Sequence, residues 1–211
     1  MADRQVDLRQ AYDRMLASIG PQSWWPAETR VEMMVGAILV QNTSWRNVAR
    51  SIDQLRGRGL LTARQLADAD PHLLAQLITP SGFMTAKGPA LQRLARWILD
   101  HGPEESSHSE LDDTALRASL LALRGIGPET ADVLMLYAFD RAVFVADSYA
   151  RRLYEALGSP APNGYTKFRA LGTADCARAG FTLLEHQELH ALIDEFGNRV
   201  SRGTHRYEQV T

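Results

Sequence analysis

A succession of short apolar stripes at helical spacing, each ended by glycine or proline, is the feature that most limits how this chain can fold. Residues 7–19 place Leu8, Ala11, Tyr12, Met15, Leu16 and Ile19 on one face. Residues 30–41 are apolar almost throughout, as in a helix buried on most sides. The same spacing predicts helices over 44–57, 62–68, 71–78, 85–101, 112–123, 128–139, 147–157, 165–172 and 179–197. Breakers fall between them at Gly20-Pro21, Gly57, Pro80-Ser81-Gly82, Gly102-Pro103, Gly158-Ser159-Pro160 and Pro162-Asn163-Gly164. Asp70-Pro71 reads as an N-cap followed by proline at the first helical position. The best strand signal, Ala142–Ala146, is too short to build a sheet, so the expected fold class is all-α. Residues 103–113, rich in acids and serines, are expected as a solvated loop, and the polar tail from Ser201 is expected to fray.

Composition narrows the partners. The chain of 211 residues is 45% apolar, enough for one large domain or two small ones. A formal net charge of −2 leaves no whole-protein attraction to nucleic acid, so any DNA surface must be a local basic patch. Lys87 and Lys167 are the only lysines; the other basic residues are arginines. The single cysteine, Cys176, excludes an internal disulfide and a four-cysteine zinc or iron–sulfur site. His186 and His190, four apart on one helix, make half a metal site with no third ligand in view, so no metal is expected. The N-terminus lacks an apolar leader and no run nears the roughly 18 apolar residues of a membrane helix. A soluble, cytoplasmic protein without a membrane partner is expected, nucleoid-associated in a bacterium.

Chemistry concentrates in Leu123-Arg-Gly-Ile-Gly-Pro-Glu-Thr-Ala131 and in Asp147, which follows the apolar run Val143–Ala146. A Gly-x-Gly turn between two helices, Gly125-Ile126-Gly127, turns backbone N–H groups outward at a helix N-terminus, where they can hold a phosphate oxygen, with room for a monovalent cation. Pro128 starts the second helix, since its missing N–H is not needed there. Asp147 before Ser148 suits an N-cap. It is also a candidate catalytic carboxylate, held rigid by the helix and kept ionised by its dipole.

Leu-x-Gly-Ile-Gly-x-x-Thr-Ala followed by an aliphatic run ending in Asp147 resembles the helix-hairpin-helix DNA glycosylases of the endonuclease III type. The resemblance spans about residues 24–200. Gly36-Ala-Ile-Leu-Val-Gln41 looks like the family's early buried helix, which ends in a glutamine that enters the DNA. Pro80-Ser-Gly82-Phe83-x-x-x-Lys87 looks like its second DNA-contacting loop. The resemblance implies an all-α, two-lobed fold: a contiguous bundle over 27–135 carrying the hairpin, and a second lobe of 1–26 plus 136–211 carrying Asp147. It further implies DNA contacts from Gln41, Phe83, Lys87, Gly125, Ile126, Gly127 and Thr130. Asp147 falls on the catalytic aspartate, which stabilises the oxocarbenium-like sugar and orients the attacking water.

Three departures refine that expectation. Family members that also cut the strand carry a lysine where this chain has Glu129, and a carboxylate forms no Schiff base. The four-cysteine iron–sulfur loop of many members is absent from the tail Gly197–His205. The branch that removes adenine opposite damaged guanine carries a glutamate where this chain has Ala37, so no obvious general acid protonates the leaving base. Trp24, Trp25 and Trp45 resemble the aromatic pocket of the 3-methyladenine DNA glycosylase branch that lacks the cluster. Between such faces a cationic N-alkylpurine gains about 0.5–2 kcal/mol over a neutral base. The resulting expectation is a monomeric, monofunctional base-excision-repair glycosylase without AP-lyase activity. It would flip and release 3-methyladenine- or 7-methylguanine-type bases from double-stranded DNA. Two alternatives stay open: a monofunctional uracil or thymine mismatch glycosylase, and a non-catalytic damage-binding paralogue.

Overall fold

The computed structural model describes residues 6–102 and 111–211. Most of the expected acidic loop, residues 103–110, lies outside the described residues. Eleven α-helices and no strand occur among those described: α1 (Leu8–Ile19), α2 (Arg30–Leu39), α3 (Trp45–Gly57), α4 (Ala63–Asp68), α5 (Pro71–Leu77), α6 (Met84–His101), α7 (Asp113–Leu121), α8 (Pro128–Ala138), α9 (Ser148–Ala156), α10 (Tyr165–Ala179) and α11 (Leu183–Ser201). Short polar side chains cap many of them. Asp7, Thr29, Thr62, Asp70, Asp112, Asp147 and Thr182 each accept a backbone N–H of the first turn. Each such cap is worth about 1 kcal/mol.

The chain forms two compact units, one of Trp25–Asp140 and one of Met1–Trp24 with Arg141–Thr211. In the first, α2 packs against α3, α6 and α8. Contact on three sides explains why Met33 to Leu39 is buried without interruption. In the second unit, α11 packs against α1 and α9. Phe144, Tyr154 and Phe168 meet edge-on there, with centroids 5.0–5.9 Å apart.

Two local expectations are corrected and a third holds. The boundary between the last two helices lies near residue 180 rather than 172–179. Gly180 ends α10 in the left-handed region at φ 65°, and Thr182 opens α11 through a capping box with Glu185. As expected, Ala142–Ala146 builds no sheet; it is a connector in which Val143, Phe144, Val145 and Ala146 are all buried. The tail does not fray. Tyr207–Gln209 forms a 3-10 turn, Tyr207 packs on Phe196 at 6.0 Å, and Val210 is buried in the core of its unit.

Candidate active site

The hairpin is built from α7, α8 and the turn between them. Arg117 on α7 reaches Asp132 on α8 through two hydrogen bonds, Nε–Oδ1 at 2.8 Å and Nη2–Oδ2 at 3.2 Å. Asp132 is fully buried, so this fork fixes one helix against the other. Gly125 sits at φ 105°, and a Cβ there would come within 2.7 Å of Ala90 Cβ on α6. Arg93 on α6 donates from Nε to the Arg124 carbonyl at 2.8 Å, holding the turn from the same side.

Gly127 has no need of glycine's backbone freedom. Its φ of −88° is open to any residue, and a Cβ on it would meet nothing within 4 Å. What glycine provides at this position is a bare approach to the N-terminus of α8, which has no side-chain cap. Ile126, expected as a DNA contact, donates its N–H to the Leu123 carbonyl at 2.9 Å, and its side chain is buried. Glu129 lies exposed in the first turn of α8.

Gln41, just beyond α2, donates from Nε2 to Thr130 Oγ1 at 3.0 Å and to the Gly125 carbonyl at 3.3 Å. The end of the buried helix is thereby tied to the hairpin. Thr130, another expected DNA contact, is itself buried and braces Gln41. Lys87 is likewise engaged inside the protein. Its side chain is buried and Nζ donates to the carbonyls of Leu39 at 2.8 Å and Ser81 at 2.7 Å. Burial lowers its pKa below the usual lysine value. The ammonium turns inward and holds the 79–83 turn against the end of α2.

That turn presents Phe83. It is 63% exposed and sits at φ 51°, ψ 37°, a left-handed conformation costly for a bulky residue. An exposed aromatic held in strained backbone is a candidate functional position.

The tryptophans divide between the units. Trp25 meets Trp45 edge-on at 5.4 Å and Tyr137 at 5.5 Å. Trp45, at the start of α3, is 37% exposed, whereas Tyr137 on α8 is buried. Trp24 belongs to the other unit and meets His190 edge-on at 6.1 Å. Ala37 is buried within α2, where it offers no acid.

Asp147 caps α9, with Oδ1 accepting the Ala150 N–H at 2.7 Å. It is 9% exposed. Its other oxygen, Oδ2, faces His190 Nε2 at 3.8 Å. Desolvation brings the His190 pKa down to about 4, so the imidazole is neutral at physiological pH. Reading the sequence did not pick out Tyr137 or His190 as site residues. The spacing of His190 from His186 suggested only a metal pair. His186 instead places Nδ1 2.8 Å from the Thr182 carbonyl. Among the described residues no group of three or more His, Cys, Asp or Glu side chains could hold a metal ion, and no helix is long and apolar enough to cross a membrane. Cys176 is buried, its thiol pKa pushed up to about 12 by desolvation.

Residues 35–174 match the model of the HhH-GPD superfamily base excision DNA repair proteins. A Methanocaldococcus jannaschii protein provisionally named as a DNA repair glycosylase is 39% identical over 193 residues, covering 90% of this chain and 87% of that protein. The chloroplastic endonuclease III homolog 1 of Arabidopsis thaliana is 32% identical over 63% of this chain and 34% of its own length. The crystal structure of the H. pylori 3-methyladenine DNA glycosylase bound to 1,N6-ethenoadenine shares the fold with a TM-score of 0.79, at 24% identity, over 92% of this chain and 96% of that one. A hairpin with an open helix N-terminus, a capping aspartate beyond it and a matching family model over most of the chain agree: this protein belongs to the HhH-GPD superfamily of base excision DNA repair proteins, as a DNA glycosylase.

Proposed function

We propose that the protein is a monofunctional glycosylase that releases N-alkylated purines, of the 3-methyladenine or 7-methylguanine type, from double-stranded DNA. The observation that carries the reading is the aromatic group of Trp25, the partly exposed Trp45 and Tyr137, the last two each meeting Trp25 edge-on. Such a group attracts a flat cation through its π-faces. A base that is already cationic leaves without protonation, which suits a site with Ala37 and no acid at that position. The fold shared with a structure named as a 3-methyladenine DNA glycosylase supports the same reading.

The remaining roles follow from the chemistry. The N-terminus of α8, left bare by Gly127, holds a phosphate, and a monovalent cation can sit with it. Phe83 wedges the space left by the flipped nucleotide. Asp147, fixed by its bond to Ala150, stabilises the positive sugar and orients water. Glu129 stands where strand-cutting relatives carry lysine, so no Schiff base forms and the strand stays intact. No iron–sulfur cluster or other cofactor takes part, and the protein works as a monomer in the cytoplasm.

The test is single-turnover base release from methylated DNA beside uracil- and mismatch-containing duplexes, with and without alkali. Methylated purines are expected to leave fastest, with strand breaks only after alkali. Asp147→Asn is expected to slow release by about 100- to 10,000-fold. Breaks without alkali would overturn the monofunctional reading. Preference for uracil or mismatched thymine would replace the substrate class. Full activity in the Asn variant would remove Asp147 from the chemistry.

A further inference from the structure

We infer that His190 is a water-positioning residue, which together with Asp147 Oδ2 seats the nucleophilic water of base release. The inference rests on the proposed role of Asp147. The distance between Oδ2 and Nε2, 3.8 Å, is too long for a direct hydrogen bond but short enough for one water to bond both atoms at once. Each side chain keeps about a tenth of its surface exposed (10% and 10%), so the pair is neither sealed from solvent nor freely solvated.

Both partners are fixed. Asp147 is held through Oδ1 by the Ala150 N–H, which aims its other oxygen at the imidazole. His190 stands on the 19-residue helix α11, with the edge of Trp24 against its ring. A carboxylate accepts only, so the water must give it a proton. A neutral imidazole then takes the second bond to the water without repelling the positive charge that grows on the sugar. In the step itself the water oxygen bonds to the anomeric carbon. The carbon–nitrogen bond to the base breaks, its electron pair leaves with the base, and the water's proton passes to Asp147. His190 holds the water oxygen in line and is unchanged at the end.

The test compares His190→Leu, His190→Gln and Asp147→Asn, using the lesion that the wild-type protein releases fastest. Single-turnover release, affinity for the same duplex and thermal unfolding are measured for each. The leucine variant removes both ring nitrogens at similar volume. It is expected to slow release about 10- to 100-fold, with DNA affinity and unfolding temperature near wild type. Glutamine, whose amide can again bond a water, is expected to recover most of that loss. The double variant Asp147→Asn with His190→Leu is expected to be no slower than Asp147→Asn alone, because both act on one water. Wild-type rates in His190→Leu, a glutamine variant as slow as leucine, or additive losses in the double variant would each overturn the inference while leaving Asp147 in place. An unaffected Asp147→Asn would instead remove the reading on which it rests. Should His190→Leu unfold, the comparison of His190→Gln with wild type decides: a rate reduced more than affinity supports the role, and equal reductions in both overturn it.

Discussion

Protonating His190 charges a ring that keeps only about a tenth of its surface exposed, and the cost appears as a pH dependence of folding. Its folded pKa of about 4 lies below the ordinary 6.5, so the unfolded chain binds the proton more readily. The contribution to stability is complete above about pH 6.5 and is lost as pH falls toward 4, reaching about 3 kcal/mol. Asp147 at 3.8 Å favours the charged imidazole, but burial outweighs it. Urea unfolding at pH 7 and pH 5 is expected to differ by about 2 kcal/mol more in the wild type than in His190→Leu. Phe83 illustrates the opposite balance of function against stability. Replacing it with glycine relieves the left-handed strain and is expected to stabilise the protein by up to about 1 kcal/mol while slowing base release. A thermal melt beside a single-turnover assay checks both halves. At this scale the sequence showed which residues bear chemistry but not where they point. Lys87 and Thr130 stand in motifs expected to contact DNA, yet one turns to carbonyls and the other to Gln41. Side-chain direction depends on packing that no motif encodes.

The hairpin element separates two glycines that look alike in a motif. Gly125→Ala meets both an unfavourable φ of 105° and Ala90 Cβ at 2.7 Å, so it is expected to destabilise by about 1–3 kcal/mol. Gly127→Ala meets neither obstacle and is expected to leave stability within about 0.5 kcal/mol. Its methyl group would nevertheless stand before the α8 N-terminus and weaken DNA binding. Chemical denaturation and titration of a lesion-containing duplex distinguish the two variants. Helix positions were legible from apolar spacing, because α1, α2, α3 and α8 each bury a continuous face. The α10–α11 boundary was not, since residues 172–182 keep apolar residues on both sides of it. There the break depends on Gly180 and on the reciprocal bonds of Thr182 and Glu185 rather than on hydropathy.

Across the whole molecule, the unit that carries Asp147 is assembled from both ends of the chain, with α1 packed on α10 and α11. Its final residues take part: Val210 is 1% exposed and Tyr207 lies against Phe196. Truncation after Arg206 is expected to lower the unfolding free energy by at least about 1.5–3 kcal/mol, the value of burying one large aliphatic side chain, as read by denaturant titration. A lone valine in a polar tail carries no periodic signal, so this anchor could not be read before the fold was known. The use of arginine almost throughout has a last consequence through Lys87. With Lys87 buried and bonded to two carbonyls and Lys167 exposed, an amine-reactive dye should attach under native conditions at Lys167 but not at Lys87. Labelling at Lys87 would then proceed only through opening of the turn it clamps, and its rate would serve as a clock for that motion, slowing when DNA holds the turn closed.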